Sequence, residues 1–249
     1  MEPFPIAAPP YAGDSRQVPS SNAFEWLNSG WATFIAAPGV WVVIALIMLI
    51  GNIFLSMIPI LGQIASLVLM PMLTAGALHA SRQAAQAQEP AVTDLFWAFQ
   101  NHTGPLAMVG LLYAAGLAAL AAVTLVVVGG GAFAGAVFGG SLGTAGAVGG
   151  GVVAGLVAAV IVLVASVPLF MAIWFAPALV AFNDMAPVAA MRASFFACLK
   201  NIGPITVFSL VFMVAAFFAT LPAGLGWLLL LPVVFGALYA SYRDIFPTA

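Results

Sequence analysis

The chain has 249 residues, of which 5% are charged and 64% are apolar, and its net charge is −2. A soluble domain carries about a quarter charged residues, so this composition excludes a soluble fold and indicates a polytopic membrane protein. With only five Lys and Arg, the chain lacks the clustered basic side chains that nucleic-acid binding requires. The single cysteine, Cys198, excludes an internal disulfide bond.

The first 21 residues differ in character from the rest of the chain. Residues 1–21 are rich in Pro and Ser and lack periodic apolar residues, which predicts a disordered tail. No basic residue precedes an apolar core in this stretch, so we expect the first span to serve as an uncleaved insertion signal. Residues 22–246 are predicted to form one membrane domain.

Long apolar runs alternate with short polar segments in this domain. Six runs have about the 20 residues that cross a bilayer, and three segments, 23–36, 92–99 and 184–201, are typical of amphipathic helices lying in the headgroup region. The sequence therefore predicts an all-α fold with six transmembrane helices and interfacial helices. The predicted spans are 40–58, 63–80, 105–128, 152–176, 205–221 and 225–242.

One hexapeptide, called here the repeated word, occurs twice with a single difference and indicates an internal repeat. GALHAS at 76–81 is followed by Arg82, and GALYAS at 236–241 is followed within two residues by Arg243. Each word ends a predicted span where the chain meets water. The sequence therefore predicts three copies of a unit made of interfacial helix, span, turn and span. The three copies cover about 23–82, 91–177 and 187–243.

The basic residues predict the orientation of the spans. With six spans, both termini and the two polar loops lie on one side of the membrane, and that side receives every Lys and Arg. Because short loops bearing these residues stay in the cytoplasm, the 1–21 tail and the C-terminus are expected to be cytoplasmic. A seventh span would divide the basic residues between the two faces. The five residues are Arg16, Arg82, Arg192, Lys200 and Arg243.

The insertion at 129–151 consists mainly of Gly and Ala. Glycines recur at every fourth position, and small residues at this spacing let helices approach closely in lipid. One interpretation is a helix-packing face, re-entrant or used for subunit association in a homo-oligomer. The other is a flexible apolar loop. The four glycines in register are Gly131, Gly135, Gly139 and Gly143.

The pattern of polar residues argues against catalysis. No acidic residue lies within a predicted span, and His79 and His102 lie at membrane edges, whereas transporters and pumps place such groups inside the bilayer. A metal site needs three or four converging ligands. We therefore expect no enzyme activity, metal or cofactor. Tyr239 replaces His79 in the second copy of the word, which indicates an interfacial ring, and Cys198 is interpreted as either an acylation site or a small apolar contact.

Four basic residues are candidates for binding. Arg82 and Arg243 close equivalent spans, and Arg192 and Lys200 lie on the predicted surface helix 184–201. One hypothesis is that they contact anionic lipid headgroups or a partner protein, since each basic group near the membrane surface contributes about 1 kcal/mol. The alternative is that they serve only as topology anchors.

Several stretches resemble a known family. They are APALV at 176–180, ASFFACLKN at 193–201, LPVVFGALYASYRDIF at 231–246, and Gly30-Trp31 near the start. Over about residues 24–246 the chain resembles a family of uncharacterised proteobacterial multi-pass inner-membrane proteins, which implies six spans and a bacterial inner-membrane location. It is more weakly similar to the membrane domain attached to some glycerophosphodiester phosphodiesterases, but it lacks their catalytic domain.

Taken together, these features predict a non-enzymatic integral inner-membrane protein. It is expected to act as an accessory or assembly subunit or a lipid-organising factor, with membrane lipids, or another integral membrane protein or complex, as partners. The competing hypothesis is a pore or facilitator for a neutral or lipid-like solute. In the first case, polar residues within spans, such as Asn52 and Ser66, hydrogen-bond between helices; in the second they line a path.

Overall fold

The computed structural model describes residues 13–138 and 143–247, and within these ranges every regular element is helical. This confirms the predicted all-α fold. A short 3₁₀ helix, Val92–Phe96, precedes α4. The α-helices are α1 (Asn22–Ala36), α2 (Pro38–Ser56), α3 (Leu61–Ala85), α4 (Trp97–Asn101), α5 (Thr103–Phe138), α6 (Gly143–Trp174), α7 (Ala176–Asn183), α8 (Pro187–Lys200), α9 (Ile202–Thr220) and α10 (Trp227–Ile245).

Six helical stretches in the described part of the chain are long and apolar enough to cross a membrane, as predicted. The shortest have 19 residues, which at 1.5 Å per residue gives a length of about 28 Å, close to the hydrocarbon thickness of a bilayer. Their many exposed Leu, Val, Ile and Phe side chains form a surface suited to lipid. The six stretches are Pro38–Ser56, Leu61–Ala85, Thr103–Phe138, Thr144–Asn183, Ile202–Thr220 and Trp227–Ile245.

The chain divides into two compact units. The larger comprises the described residues of Met1–Gly110 and Ala172–Ala249, and the smaller is Leu111–Met171. The core of the larger unit is built where α2, α3, α10 and the 92–101 segment meet. The buried residues of this core are Trp41, Ile44, Met48, Ala77, Ala80, Leu95 and Phe235.

The repeated word is buried in both of its copies because it forms close helix contacts. A Cβ at Gly76 would lie 2.0 Å from the carbonyl oxygen of Leu95, and a Cβ at Gly236 would lie 2.8 Å from the Cα of Gly30. Only glycine allows such an approach between backbones. The recurrence of the word therefore reflects two tight contacts, one between α3 and the 3₁₀ helix and the other between α10 and α1.

Three helices of the larger unit each pack against a short helix that begins one of the predicted copies. For the last of the three, that copy is the first one in the chain. The helix α3 contacts the 92–101 segment, α7 contacts α8, and α10 contacts α1. Because the last helix returns to the first, this order closes on itself within the larger unit. Three copies of one hairpin would give such an order, although the repeats themselves stay a prediction.

The helix α1, which the sequence predicts to lie in the headgroup region, packs against α10, and its placement relative to the membrane stays a prediction. Trp26 donates a hydrogen bond to Asp244, whereas a Cβ at Gly30, one turn later, would touch the backbone of Val233. These contacts align α1 antiparallel to α10, since the later residue in α1 meets the earlier residue in α10. The close approach at the glycines explains this alignment, because it allows α1 to bury one face along α10.

The described part of the predicted tail, residues 13–21, makes specific contacts with the C-terminal helices. The backbone N–H of Arg16 donates to the Ile245 carbonyl oxygen at 2.9 Å, and that of Val18 donates to Oδ1 of Asn201 at 2.8 Å. Asn201 Nδ2 in turn donates to the Arg16 carbonyl oxygen at 2.9 Å, and Val18 is buried. Residues 1–12 lie outside the described residues.

In the smaller unit, helix continues into the glycine-rich insertion from both sides. The helices α5 and α6 have 36 and 32 residues and extend past the predicted ends of the third and fourth spans at 128 and 152. For its described residues, the insertion is therefore helical and not a loop. At 1.5 Å per residue, α5 is about 54 Å long, well beyond the 30 Å hydrocarbon thickness.

Two of the four glycines in register lie at a close contact between α5 and α6. A Cβ at Gly131 would lie 2.2 Å from the Cβ of Ala154, and one at Gly135 would lie 2.1 Å from the carbonyl oxygen of Gly146. This is the close packing that small residues permit in lipid. Gly143 begins α6, and Gly139 lies outside the described residues. Association between subunits stays a prediction.

Candidate functional site

The ends of three helices of the larger unit enclose a polar cavity. It has a volume of about 290 Å³, and it receives side chains from the last turn of α3, the end of α7 and the last two turns of α10. Among the described residues that line it, none is acidic. The lining residues are Arg82, Gln86, Phe182, Tyr239, Tyr242 and Arg243.

Arg82 and Arg243 occupy equivalent positions in the two helices that carry the repeated word. Each lies in the last turn of its helix, where a cation is stabilised by the negative end of the helix dipole. The structure thus brings together the two arginines that the repeat predicts to be equivalent. Both side chains are exposed, so the cavity is open to solutes.

An aromatic ring contacts the guanidinium group of Arg82, and two tyrosines line the cavity beside it. The Cζ atom of Arg82 lies 5.4 Å from the ring centroid of Phe182, which is within the range of a cation–π interaction. Tyr239 lies one helical turn before Arg243 and lines the same cavity. The Phe182 ring in turn packs 5.7 Å from that of Tyr242 and 6.1 Å from that of Tyr239. The hydroxyl of Tyr242 donates a hydrogen bond to Oδ1 of Asn183.

Neither cavity arginine forms an ion pair with an acidic side chain anywhere in residues 13–138 and 143–247. Asp244, the residue next to Arg243, instead pairs with Arg16 at 2.5 Å. It also accepts hydrogen bonds from Asn22 Nδ2 at 2.8 Å and Trp26 Nε1 at 2.9 Å. Three donors, Arg16, Asn22 and Trp26, thus bind the carboxylate of Asp244, which does not line the cavity. The cavity is therefore electropositive and able to bind an anion.

The structure separates the other two predicted cations from this pair. Arg192 lines a second cavity beside Gly13 and Ser15, and its Cζ atom lies 5.7 Å from the ring centroid of Phe196. Lys200 donates a hydrogen bond from Nζ to the carbonyl oxygen of Ser15. The contacts of Arg192 and Lys200 are thus with α8 and the N-terminal segment.

Some lining residues of the cavity were missed from the sequence. Gln86 lies four residues after Arg82, and Tyr239 lies four residues before Arg243, so each shares a helix face with its arginine. The four-residue spacing from each arginine could therefore have predicted Gln86 and Tyr239 as neighbours of the site. Phe182 carries no such signal, because its place beside Arg82 results from the packing of α7 against α3.

The two rings that replace each other in the repeated word have different surroundings. His79 stacks on Trp97, with 4.4 Å between ring centroids and an angle of 1° between planes, and it does not line the cavity. Tyr239 does line it. In the part of the chain that the structure describes, no three His, Cys, Asp or Glu side chains lie together in a way that could hold a metal ion.

A third cavity, of about 360 Å³, lies beside α2 and α3 and is almost entirely apolar. Asn52 and Ser66 line it, and Asn52 Nδ2 donates to Ser66 Oγ at 3.3 Å. These two polar groups connect the spans to each other, as the hydrogen-bonding interpretation of the sequence expects.

Cys198 is buried on α8 among small residues. Burial raises the pKa of its thiol to about 12, and a hydrogen bond with Ser194 only partly opposes this effect. The thiol therefore stays protonated at neutral pH, and the thiolate that acylation requires is scarce. This environment favours the interpretation of Cys198 as a small apolar contact.

Fold and composition together define a polytopic helical membrane protein. Over 204 residues the chain is 26% identical to a probable inner membrane protein of Burkholderia thailandensis, and the match covers 80% of this chain and 75% of that protein. This likeness supports the predicted inner-membrane location. No family model matches the chain, and no solved structure matches it. No comparison links it to glycerophosphodiester phosphodiesterases, so that similarity stays a prediction.

Proposed function

We propose that this non-catalytic integral membrane protein binds the headgroup of an anionic lipid between Arg82 and Arg243, and acts as a lipid-organising factor of the inner membrane. The observation that carries the proposal is the convergence in one open cavity of two arginines that have no carboxylate partner among the described residues. A cavity of this kind attracts anions, and the commonest anions at the end of a membrane-spanning helix are lipid headgroups.

The side of the membrane is part of the proposal. The rule that basic loops stay in the cytoplasm puts the last turns of α3 and α10 at the inner leaflet. Anionic lipids give that leaflet a negative surface potential, and each arginine near it contributes about 1 kcal/mol. Two arginines acting on one headgroup add specificity to this general attraction, because each guanidinium can form two parallel hydrogen bonds with an oxyanion.

Lipid retention tests the proposal. We expect the variant R82Q/R243Q to lose co-purified anionic lipid roughly 150-fold, since each guanidinium loses a charge-assisted hydrogen bond to the headgroup worth about 1.5 kcal/mol, or about 3 kcal/mol for the two. Native mass spectrometry of the protein released from mild detergent measures the bound lipid directly.

The matched control is R192Q/K200Q, which removes the same number of charges from the other site. It is expected to retain lipid as the wild type does. Equal retention by wild type and R82Q/R243Q, with both variants folded, would contradict a headgroup site at the cavity. Equal losses in both variants would show that only the total positive charge matters.

A further inference from the structure

We infer that the cavity formed by Arg82 and Arg243 selects a terminal phosphate monoester over a phosphate diester. This inference rests on the proposed function and names the chemical class of its ligand. Two sources could supply the group. One is a lipid whose headgroup is a bare phosphate, and the other is a small soluble phosphomonoester.

Charge is the first argument. The described lining of the cavity has two guanidinium groups and no carboxylate, and neither guanidinium pairs with an acidic side chain in residues 13–138 and 143–247, so the lining carries about two positive charges. A phosphate monoester carries a charge of about −1.5 to −2 at pH 7, whereas a diester carries only one negative charge. Only the monoester therefore balances both arginines.

Hydrogen-bond geometry is the second argument. A terminal phosphate has three acceptor oxygens, enough for one guanidinium on each side to bind two oxygens in parallel while sharing one of them. A diester has two free oxygens and a substituent on each side, so that two arginines compete for the same pair. Gln86 also lines the cavity, and its amide adds a donor that a third oxygen could use.

Size and wall chemistry are the third argument. The volume of about 290 Å³ is at the lower limit of ligand pockets, which begin near 300 Å³, so a small group fits better than a large headgroup. Zwitterionic headgroups end in an ammonium ion, which needs a carboxylate or a free aromatic face. The described lining of the cavity offers two guanidinium groups, which repel an ammonium ion, and no carboxylate.

The test is a lipid competition with the full-length protein. The protein is exchanged into neutral phosphatidylcholine nanodiscs that contain equal amounts of phosphatidic acid, a monoester, and phosphatidylglycerol, a diester. Native mass spectrometry then measures which anionic lipid stays bound. We expect wild type to prefer phosphatidic acid roughly tenfold, which corresponds to one further charge-assisted interaction. The preference should vanish in R82Q/R243Q and persist in R192Q/K200Q.

A second arm distinguishes the two sources of the monoester. Glycerol 3-phosphate is added at millimolar concentration to the same nanodiscs, with glycerol as the uncharged control. Displacement of phosphatidic acid by glycerol 3-phosphate supports a soluble phosphomonoester as ligand, and retention of the lipid supports the lipid source. In both cases the preference for the monoester is upheld.

The outcomes separate this inference from the proposed function. If wild type retains both anionic lipids equally and R82Q/R243Q loses both, the preference for a monoester is wrong and the headgroup site stands. If R82Q/R243Q retains both lipids as wild type does, both the inference and the proposed function are overturned.

Discussion

The substitution Gly30→Ala is expected to separate α1 from α10 and to destabilise the protein by about 3 kcal/mol, the upper part of the usual range for overpacking. A Cβ at this position would lie 2.1 Å from the carbonyl oxygen of Val233 and 2.9 Å from the backbone nitrogen of Ala237. Both atoms belong to the backbone of α10, so no side chain can rotate away to make room. Thermal and chemical unfolding in detergent measure the loss.

A glycine in open surroundings provides the matched control. A Cβ at Gly51, in the middle of α2, would meet nothing within 4 Å. Gly51→Ala is therefore expected to stabilise the protein by about 0.5–1 kcal/mol, because alanine loses less backbone entropy in a helix. A Gly30→Ala protein as stable as Gly51→Ala would show that α1 does not pack on α10 as closely as described.

The substitution Asp244→Asn is expected to cost about 2 kcal/mol and to release the N-terminal segment. Arg16 donates to one carboxylate oxygen, and Asn22 and Trp26 donate to the other. An asparagine amide replaces one of these oxygens by an NH₂ group, so at least one donor then faces another donor. The freed segment should be cut faster by trypsin after Arg16, and limited proteolysis measures this rate.

Asp184→Asn is the control for this effect. The Asp184 side chain is 87% exposed, and its ion pair with His102 spans 3.7 Å. Its backbone has a φ of 52°, which asparagine adopts with little strain. We expect a change in stability within about 0.5 kcal/mol. Equal proteolysis after Arg16 in the two variants would mean that Asp244 does not hold the N-terminal segment.

The parts of the fold that depend on composition and length could be predicted from the sequence. The six spans follow from apolar runs of about 20 residues, and tertiary contacts only adjust their ends. The equivalence of Arg82 and Arg243 could also be predicted, because each follows a copy of the repeated word at the same end of a span. Their meeting in one cavity required, in addition, that α3 and α10 be neighbours.

Other features depend on contacts that the sequence does not display. A single side chain, Asn201, hydrogen-bonds the backbone of Arg16 and Val18, on both sides of Gln17, and no local sequence pattern predicts these contacts. The described residues of the insertion are helical, and α5 and α6 approach each other there through Gly131 and Gly135. The spacing of these glycines is compatible with both a helix-packing face and a flexible loop. It does not show which helix lies opposite, so the sequence alone could not decide between the two.

The central claim is that six spans place both cavity arginines, with the two termini, on the cytoplasmic side. Reporter fusions test it most directly, with green fluorescent protein, which fluoresces only when it folds in the cytoplasm, or alkaline phosphatase, which is active only after export. Each is fused after Ala249 and, as the opposite case, inserted in the turn 57–60 between α2 and α3.

The account predicts fluorescence and no phosphatase activity after Ala249, and the reverse pattern in the turn. Active phosphatase after Ala249 would place Arg243 on the outer side of the membrane. That result would contradict the claim and remove the basis for a headgroup site at the inner leaflet.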